Sequence, residues 1–161
     1  MMSTGEGMGT DFATMRGRNY PTLRQFTVFL ENRVGQLLGI VRRFEGSNVR
    51  IVAMSANESA ECSITRFLLS HPEQGREILE RAGLPLIESD LIGVVLPDAS
   101  QPLLRICTAL LQAEVNIHQS YPLFTDSPAV ALQVDNLEMA AETLETRGFA
   151  LLRESDLMNE D

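Results

Sequence analysis

The sequence repeats itself at an offset of 66 residues, which favours folds built from two similar units. The tetrapeptide at 88–91, Glu-Ser-Asp-Leu, recurs at 154–157. Apolar residues with the i, i+3, i+4, i+7 spacing of one helix face recur at the same offset. They are Leu37, Ile40, Val41 and Phe44 in the first copy and Leu103, Ile106, Cys107 and Leu110 in the second. We therefore predict an internal duplication.

Each copy alternates between the two-residue period of a strand and the longer period of a helix. The order is βαββαβ, which predicts an α+β fold of two tandem ferredoxin-like units, each an antiparallel sheet with its helices on one face. The predicted strands are 26–30, 49–55, 62–69 and 84–88, then 92–96, 115–121, 129–134 and 149–153; the predicted helices are 35–45, 73–82, 101–112 and 137–147. The predicted domains are a mobile N-terminal tail at 1–22, a first unit at 23–90, a second unit at 91–157 and a C-terminal tail at 158–161.

Composition excludes several classes of function. The hydrophobic content of 44% is that of a globular chain, and the net charge of −9 disfavours nucleic acid as a partner. No apolar run approaches the ~20 residues of a membrane span, and the N-terminus lacks the pattern of a secretion signal. We expect a cytoplasmic protein that binds neither nucleic acid nor membrane. All thirteen basic residues are Arg, so Schiff-base and phosphate-binding lysine chemistry is excluded.

Few residues could carry catalysis. His71 precedes Pro72 at a predicted helix start, and His118 lies in a predicted strand. Cys62 and Cys107 stand in apolar patterns typical of small buried residues. These four side chains show no metal-ligand spacing, and no nucleophile motif is present. We expect a protein that is not an enzyme and that has no catalytic residue, metal or cofactor.

The stretch LENRVGQL at 30–37 resembles the first loop of ACT domains, the small-molecule-binding regulatory modules of amino-acid metabolism. That motif is a strand ending in an aliphatic residue, a polar turn that is commonly Pro-Gly, and x-Leu opening a helix, with Asn-Ile at the next strand. The first unit keeps Gly35 but has Val34 in place of Pro and Arg50-Ile51 in place of Asn-Ile. The second unit, at 96–103, loses the Gly but keeps Asn116-Ile117.

The resemblance implies a non-catalytic regulatory protein that binds a small molecule, expected to be a free amino acid, at the first loop. A helix N-terminus suits a carboxylate, and Gly35 would let ligand and backbone approach closely. Asn32 could cap the helix or engage the ligand, and the whole segment could also be a plain turn. The implied ligand-binding residues are Asn32, Arg33, Val34, Gly35, Gln36, Leu37, Arg50 and Ile51.

The second loop is expected to be the weaker site. Asp98 or Ser100 is placed to cap the helix, Pro102 suits its first turn, and Asp98 would repel a carboxylate. The residues implied there are Asp98, Ser100, Gln101, Asn116 and Ile117. We predict one competent site per chain, at the first loop, completed by another subunit or by the second unit.

Three functions remain open at this point. The first is an amino-acid-sensing regulator of metabolism, whose ligand shifts an assembly or a partner enzyme between states. The second is the regulatory small subunit of acetohydroxyacid synthase. The third is a dimerisation or scaffold module without a ligand. A sheet with one uncovered face favours a homodimer in each case.

Overall fold

A computed structural model describes residues 17–159 of the chain. Residues 1–16, most of the predicted N-terminal tail, and the last two residues lie outside this range. The strands are β1 (Leu23–Glu31), β2 (Ile51–Glu58), β3 (Cys62–Leu69), β4 (Leu86–Val95), β5 (Ile117–Pro122), β6 (Ala129–Val134) and β7 (Leu151–Leu152). The helices are α1 (Gln36–Arg42), α2 (Pro72–Arg81), α3 (Pro102–Gln112), α4 (Leu137–Thr146) and α5 (Glu154–Met158).

Arg24–Asp90 forms a compact first unit. Its sheet has the order β2-β3-β1-β4, the strand order of a ferredoxin-like fold, with β3 antiparallel to both β1 and β2. Phe26 pairs with Phe67 across β1 and β3, and both are fully buried. The rings of Phe44 and Phe67 meet edge to face with centroids 6.0 Å apart, and this aromatic pair anchors the core of the unit.

The second unit runs from Leu91 and takes in the described residues before Arg24. Its sheet has the matching order β7-β4-β6-β5, and all three neighbouring pairs are antiparallel. Ile92 pairs with Leu132 across β4 and β6, at the place that Phe26 and Phe67 hold in the first unit. Its core is aliphatic. The predicted α+β fold of two ferredoxin-like units is therefore confirmed.

The strand β4 differs from the prediction. The sequence predicts separate strands at 84–88 and 92–96, whereas the structure has one strand from Leu86 to Val95. The polar residues Glu88 and Ser89 do not end the strand, because their side chains find partners. Gln25 Nε2 donates to Ser89 Oγ at 3.1 Å, and Arg24 Nη1 lies 3.6 Å from Glu88 Oε1.

The second copy of the Glu-Ser-Asp-Leu tetrapeptide forms a helix, which the repeat did not predict. Residues 88–91 lie in β4, but Glu154–Met158 is α5. Asp156 Oδ2 accepts the backbone N–H of Arg153 at 2.7 Å, which closes the first turn, and Leu157 is buried. Capping and burial therefore decide the conformation of these four residues.

Within residues 17–159, no helix is both long enough and apolar enough to cross a bilayer.

Candidate functional site

The first loop, between β1 and α1, is a tight turn centred on Gly35. The backbone N–H of Arg33 donates to the carbonyl of Glu31 at 2.9 Å, and that of Gln36 donates to the carbonyl of Arg33 at 3.3 Å. Gly35 then adopts a φ of +87° as the N-cap of α1. This left-handed conformation is costly for residues with a Cβ. The turn geometry alone therefore accounts for a glycine at this position.

Gly35 rather than Asn32 is the cap residue, so the interpretation of Asn32 as a helix cap is wrong. Gly35 offers no side chain to the first helical turn, and a Cβ added to it would meet no atom within 4 Å. The side of Gly35 where a Cβ would point is thus open space. Close approach of a ligand to Gly35 stays a prediction.

Arg33 and Val34 form the outer part of the loop. Arg33 Nε lies 2.7 Å from Glu31 Oε2, and both side chains are more than two-thirds exposed. Val34 is fully exposed. An exposed ion pair of this kind contributes little to stability, so packing of the fold does not explain why these residues are present.

A depression of about 210 Å³ lies beside this loop. It brings together a basic residue, Arg43, an amide-bearing residue, Gln36, and apolar residues that include Ile40 and Leu84. No acidic residue lines it. Arg43 is exposed and has no ion-pair partner among residues 17–159. The full lining is Gly35, Gln36, Gly39, Ile40, Arg43, Ala82 and Leu84.

Only Gly35 and Gln36 of the predicted first-site residues line this depression. The backbone of Arg50 bonds Ser70 instead, its N–H donating to Ser70 Oγ at 2.7 Å. Ile51 packs against the core of the first unit. Arg43, which also lines the depression, was not among the predicted site residues. The signal was available, since Gly35, Gly39 and Arg43 follow one another at i+4 and so share a helix face.

The second loop, between β4 and α3, has the same left-handed cap without glycine. Gln101 is the N-cap of α3, with a φ of +54°. The prediction that Asp98 or Ser100 caps this helix is wrong, whereas Pro102 does open it as expected. Asp98 and Ser100 come before the cap residue in the chain, and neither side chain caps the helix.

The residues predicted around the second loop separate in the structure. Asn116 is tied to Asp135, whose Oδ1 accepts its backbone N–H at 3.0 Å. Ile117 lines an apolar cleft of about 530 Å³ within the second unit, together with Leu96 and Leu103. Asp98, Ser100, Gln101 and Asn116 do not line this cleft. No pattern in the sequence predicts this cleft.

The two histidines occupy different surroundings. His71 Nδ1 lies 2.8 Å from Ser70 Oγ, but this hydroxyl also accepts the N–H of Arg50, and Ser70 is fully buried. A substrate could not reach that hydroxyl in this conformation. His118 is exposed on β5. Over residues 17–159, no three His, Cys, Asp or Glu side chains are arranged to hold a metal ion.

Comparison with known families agrees with this architecture. The model of the ACT domain pair matches residues 21–160, nearly the whole chain. The chain belongs to the ACT domain pair family. This ACT pair therefore has a regulatory fold, and ACT domains are regulatory modules. No curated protein sequence matches it.

Solved structures share the fold. A protein from Bacteroides thetaiotaomicron is 24% identical, with a TM-score of 0.79 over 88% of this chain and 99% of its own. The ligand-free regulatory subunit of aspartate kinase from Thermus thermophilus is 10% identical, with a TM-score of 0.57 over 81% of this chain and 95% of its own. The corresponding subunit from Thermus flavus, also 10% identical, has a TM-score of 0.51 over 80% and 93%.

Proposed function

We propose that this ACT pair is a non-catalytic, cytoplasmic regulator that binds a free amino acid beside the first loop. The observation that carries the site is the depression lined by Gln36 and Arg43. A guanidinium can hold a carboxylate through two parallel hydrogen bonds. The amide oxygen of Gln36 can accept from the ligand ammonium, and Ile40 and Leu84 offer an apolar surface to its side chain.

The size of the depression narrows the ligand class. A space of about 210 Å³ is smaller than the sites that bury drug-sized ligands, typically about 300–1,000 Å³. A small or aliphatic side chain suits it better than an aromatic one. We propose that the predicted loop residues, from Asn32 to Leu37 with Arg50 and Ile51, contribute where a second subunit completes the site.

A regulator must couple binding to a change of state. We propose that the amino acid shifts either a homodimer equilibrium or the affinity for a metabolic enzyme. In either case the ligand must bind the two states with unequal affinity, because otherwise it shifts nothing. Sedimentation of the protein with and without ligand tests the first route. Co-purification of a large catalytic subunit would favour the acetohydroxyacid synthase small subunit instead.

The decisive experiment is a thermal-shift screen of the full chain against the twenty amino acids, followed by calorimetric titration of any that stabilise it. A ligand at about 100 times its Kd should add about 2.7 kcal/mol of stability. Arg43→Gln should raise the Kd at least about tenfold, because it removes a charge-assisted hydrogen bond. Arg42→Gln is the matched control, since Arg42 is also exposed on α1 but does not line the depression.

A second pair of variants tests whether ligand binding depends on the turn at Gly35 or only on the stability of the fold. Gly35→Leu should abolish binding, whereas Gly46→Leu should not, although Gly46 has a similar φ of +79° and the same open surroundings. Both carry the same backbone cost, so only the position differs. No shift with any amino acid would favour the scaffold function, and unchanged affinity in both Arg43→Gln and Gly35→Leu would contradict this site.

A further inference from the structure

The apolar cleft of about 530 Å³ in the second unit has no role in the function proposed above. Its floor includes Ile106 of α3 and Leu132 of β6, both buried. Leu103 and Cys107 of α3 stand at its mouth and are exposed. The remaining wall comes from the end of β4 and from the hairpin between β5 and β6. The cleft thus lies between the first helix of the unit and its sheet, and it is open to solvent.

Comparison with the first unit explains why this space exists. Phe67 and Leu132 hold matching places, because each pairs across the sheet with the matching residue of its unit's first strand. Phe44 matches Leu110 in the helical stripe of the repeat. The first unit therefore places a phenylalanine at each of these positions, where the second has a leucine. Leu132 lines the cleft, where the smaller side chain leaves space, whereas Leu110 does not line it.

The lining defines what the cleft can bind. None of its side chains is charged, and the polar groups of the lining side chains are those of Cys107, Ser120 and Tyr121. A charged group buried there would lose its hydration without gaining a counter-charge. An uncharged apolar group would instead remove the exposed apolar lining from water. The volume lies within the range of sites that hold small organic molecules.

We propose that this cleft is a binding site for an uncharged apolar small molecule, aromatic or aliphatic. Contact with Ile106, Val130 and Leu132 holds the ligand, and Cys107 lies at its exit. The site shares no residue with the depression at Arg43. An experiment that contradicts one site therefore leaves the proposal for the other site standing. The two tests also use different probes.

The first measurement is a titration of the full chain with N-phenyl-1-naphthylamine, an uncharged probe that fluoresces in apolar surroundings. We expect saturable binding of one probe per chain. Leu132→Phe, which copies the first unit, and Leu103→Trp, which narrows the mouth, should each weaken binding at least about tenfold by occupying the ligand's space. Leu104→Trp is the control, because Leu104 is 62% exposed on the same helix but does not line the cleft.

The two cysteines of the chain provide a second readout that needs no variant. Cys107 lines the cleft, whereas Cys62 begins β3 in the first unit. Probe at about ten times its Kd should slow alkylation of Cys107 about tenfold, in proportion to the unbound fraction, and leave Cys62 unaffected. Mass spectrometry of the alkylated peptides measures both rates in one sample.

Four outcomes would overturn the proposal. The first is the absence of saturable binding. The second is binding that Leu132→Phe and Leu103→Trp leave unchanged. The third is equal protection of both thiols by the probe. The fourth is a dimer, seen by sedimentation without probe, in which Cys107 resists alkylation until Leu103→Trp dissociates it. In that case a second copy of the chain covers the cleft.

Discussion

The first unit fills the space between its first helix and its sheet with two aromatic rings, Phe44 and Phe67, whereas the second places Leu110 and Leu132 there. The strand order and the register around these residues are the same. The difference teaches that duplicated units can keep one backbone while their core volumes diverge. In the second unit, Leu132 borders the apolar cleft.

The largest effect should come from truncating the aromatic side of this comparison. Phe67→Ala should cost about 3–5 kcal/mol, and Leu132→Ala about 2 kcal/mol, the low end for leucine, because Leu132 already borders open space and fewer contacts are lost. Native-state amide hydrogen exchange, followed separately in β3 and β6, measures each loss within its own unit. Equal losses at the two sites would contradict the packing difference.

The two units also differ in the side-chain volumes at the contact between the second helix and the sheet. Gly75 in α2 corresponds to Ala140 in α4, since each precedes a buried leucine, Leu79 or Leu144, by four residues. A Cβ on Gly75 would lie 2.3 Å from Leu69 Cδ1. Leu69, the last residue of β3, thus faces a glycine. The last residue of β6, Val134, is smaller.

Gly75→Ala should therefore destabilise the first unit by about 1 kcal/mol net, because overpacking against the buried Leu69 outweighs the gain in helix propensity. Adding Leu69→Val, which copies the second unit, should relieve the clash. We expect the double variant to be more stable than the sum of the two single changes predicts, by about 1 kcal/mol or more. Urea unfolding of the four proteins closes the cycle. Strict additivity would mean that helix and strand do not press on each other at this point.

The smallest effect concerns the two left-handed caps. Gly35 and Gln101 occupy matching positions before α1 and α3, both at positive φ. Gln101→Gly should stabilise the protein by about 0.5–1 kcal/mol by relieving strain, and Gly35→Gln should destabilise it by about 1 kcal/mol. Thermal unfolding of the reciprocal pair measures both. Changes of the same sign would show that the two caps are not equivalent.

Much of the fold could be predicted because periodicity records which face of each element is buried. The stripe from Leu37 to Phe44 identified α1, and its copy at 103–110 identified α3. The position of Arg43 was harder to predict, because the depression that it lines is also lined by Ala82 and Leu84, some 40 residues away in sequence. The cleft could not be predicted from the sequence for the same reason. It results from side-chain volumes on several elements, which no local pattern records.

The helix α5 has a consequence for how the protein behaves at high concentration. By turning away from extended structure after Leu152, it leaves β7 only two residues long at an outer position of its sheet. Short outer strands offer few free backbone groups to another chain. The tetrapeptide that stays extended in β4 and coils in α5 thus leaves β7 with few backbone groups on which another chain could add a strand.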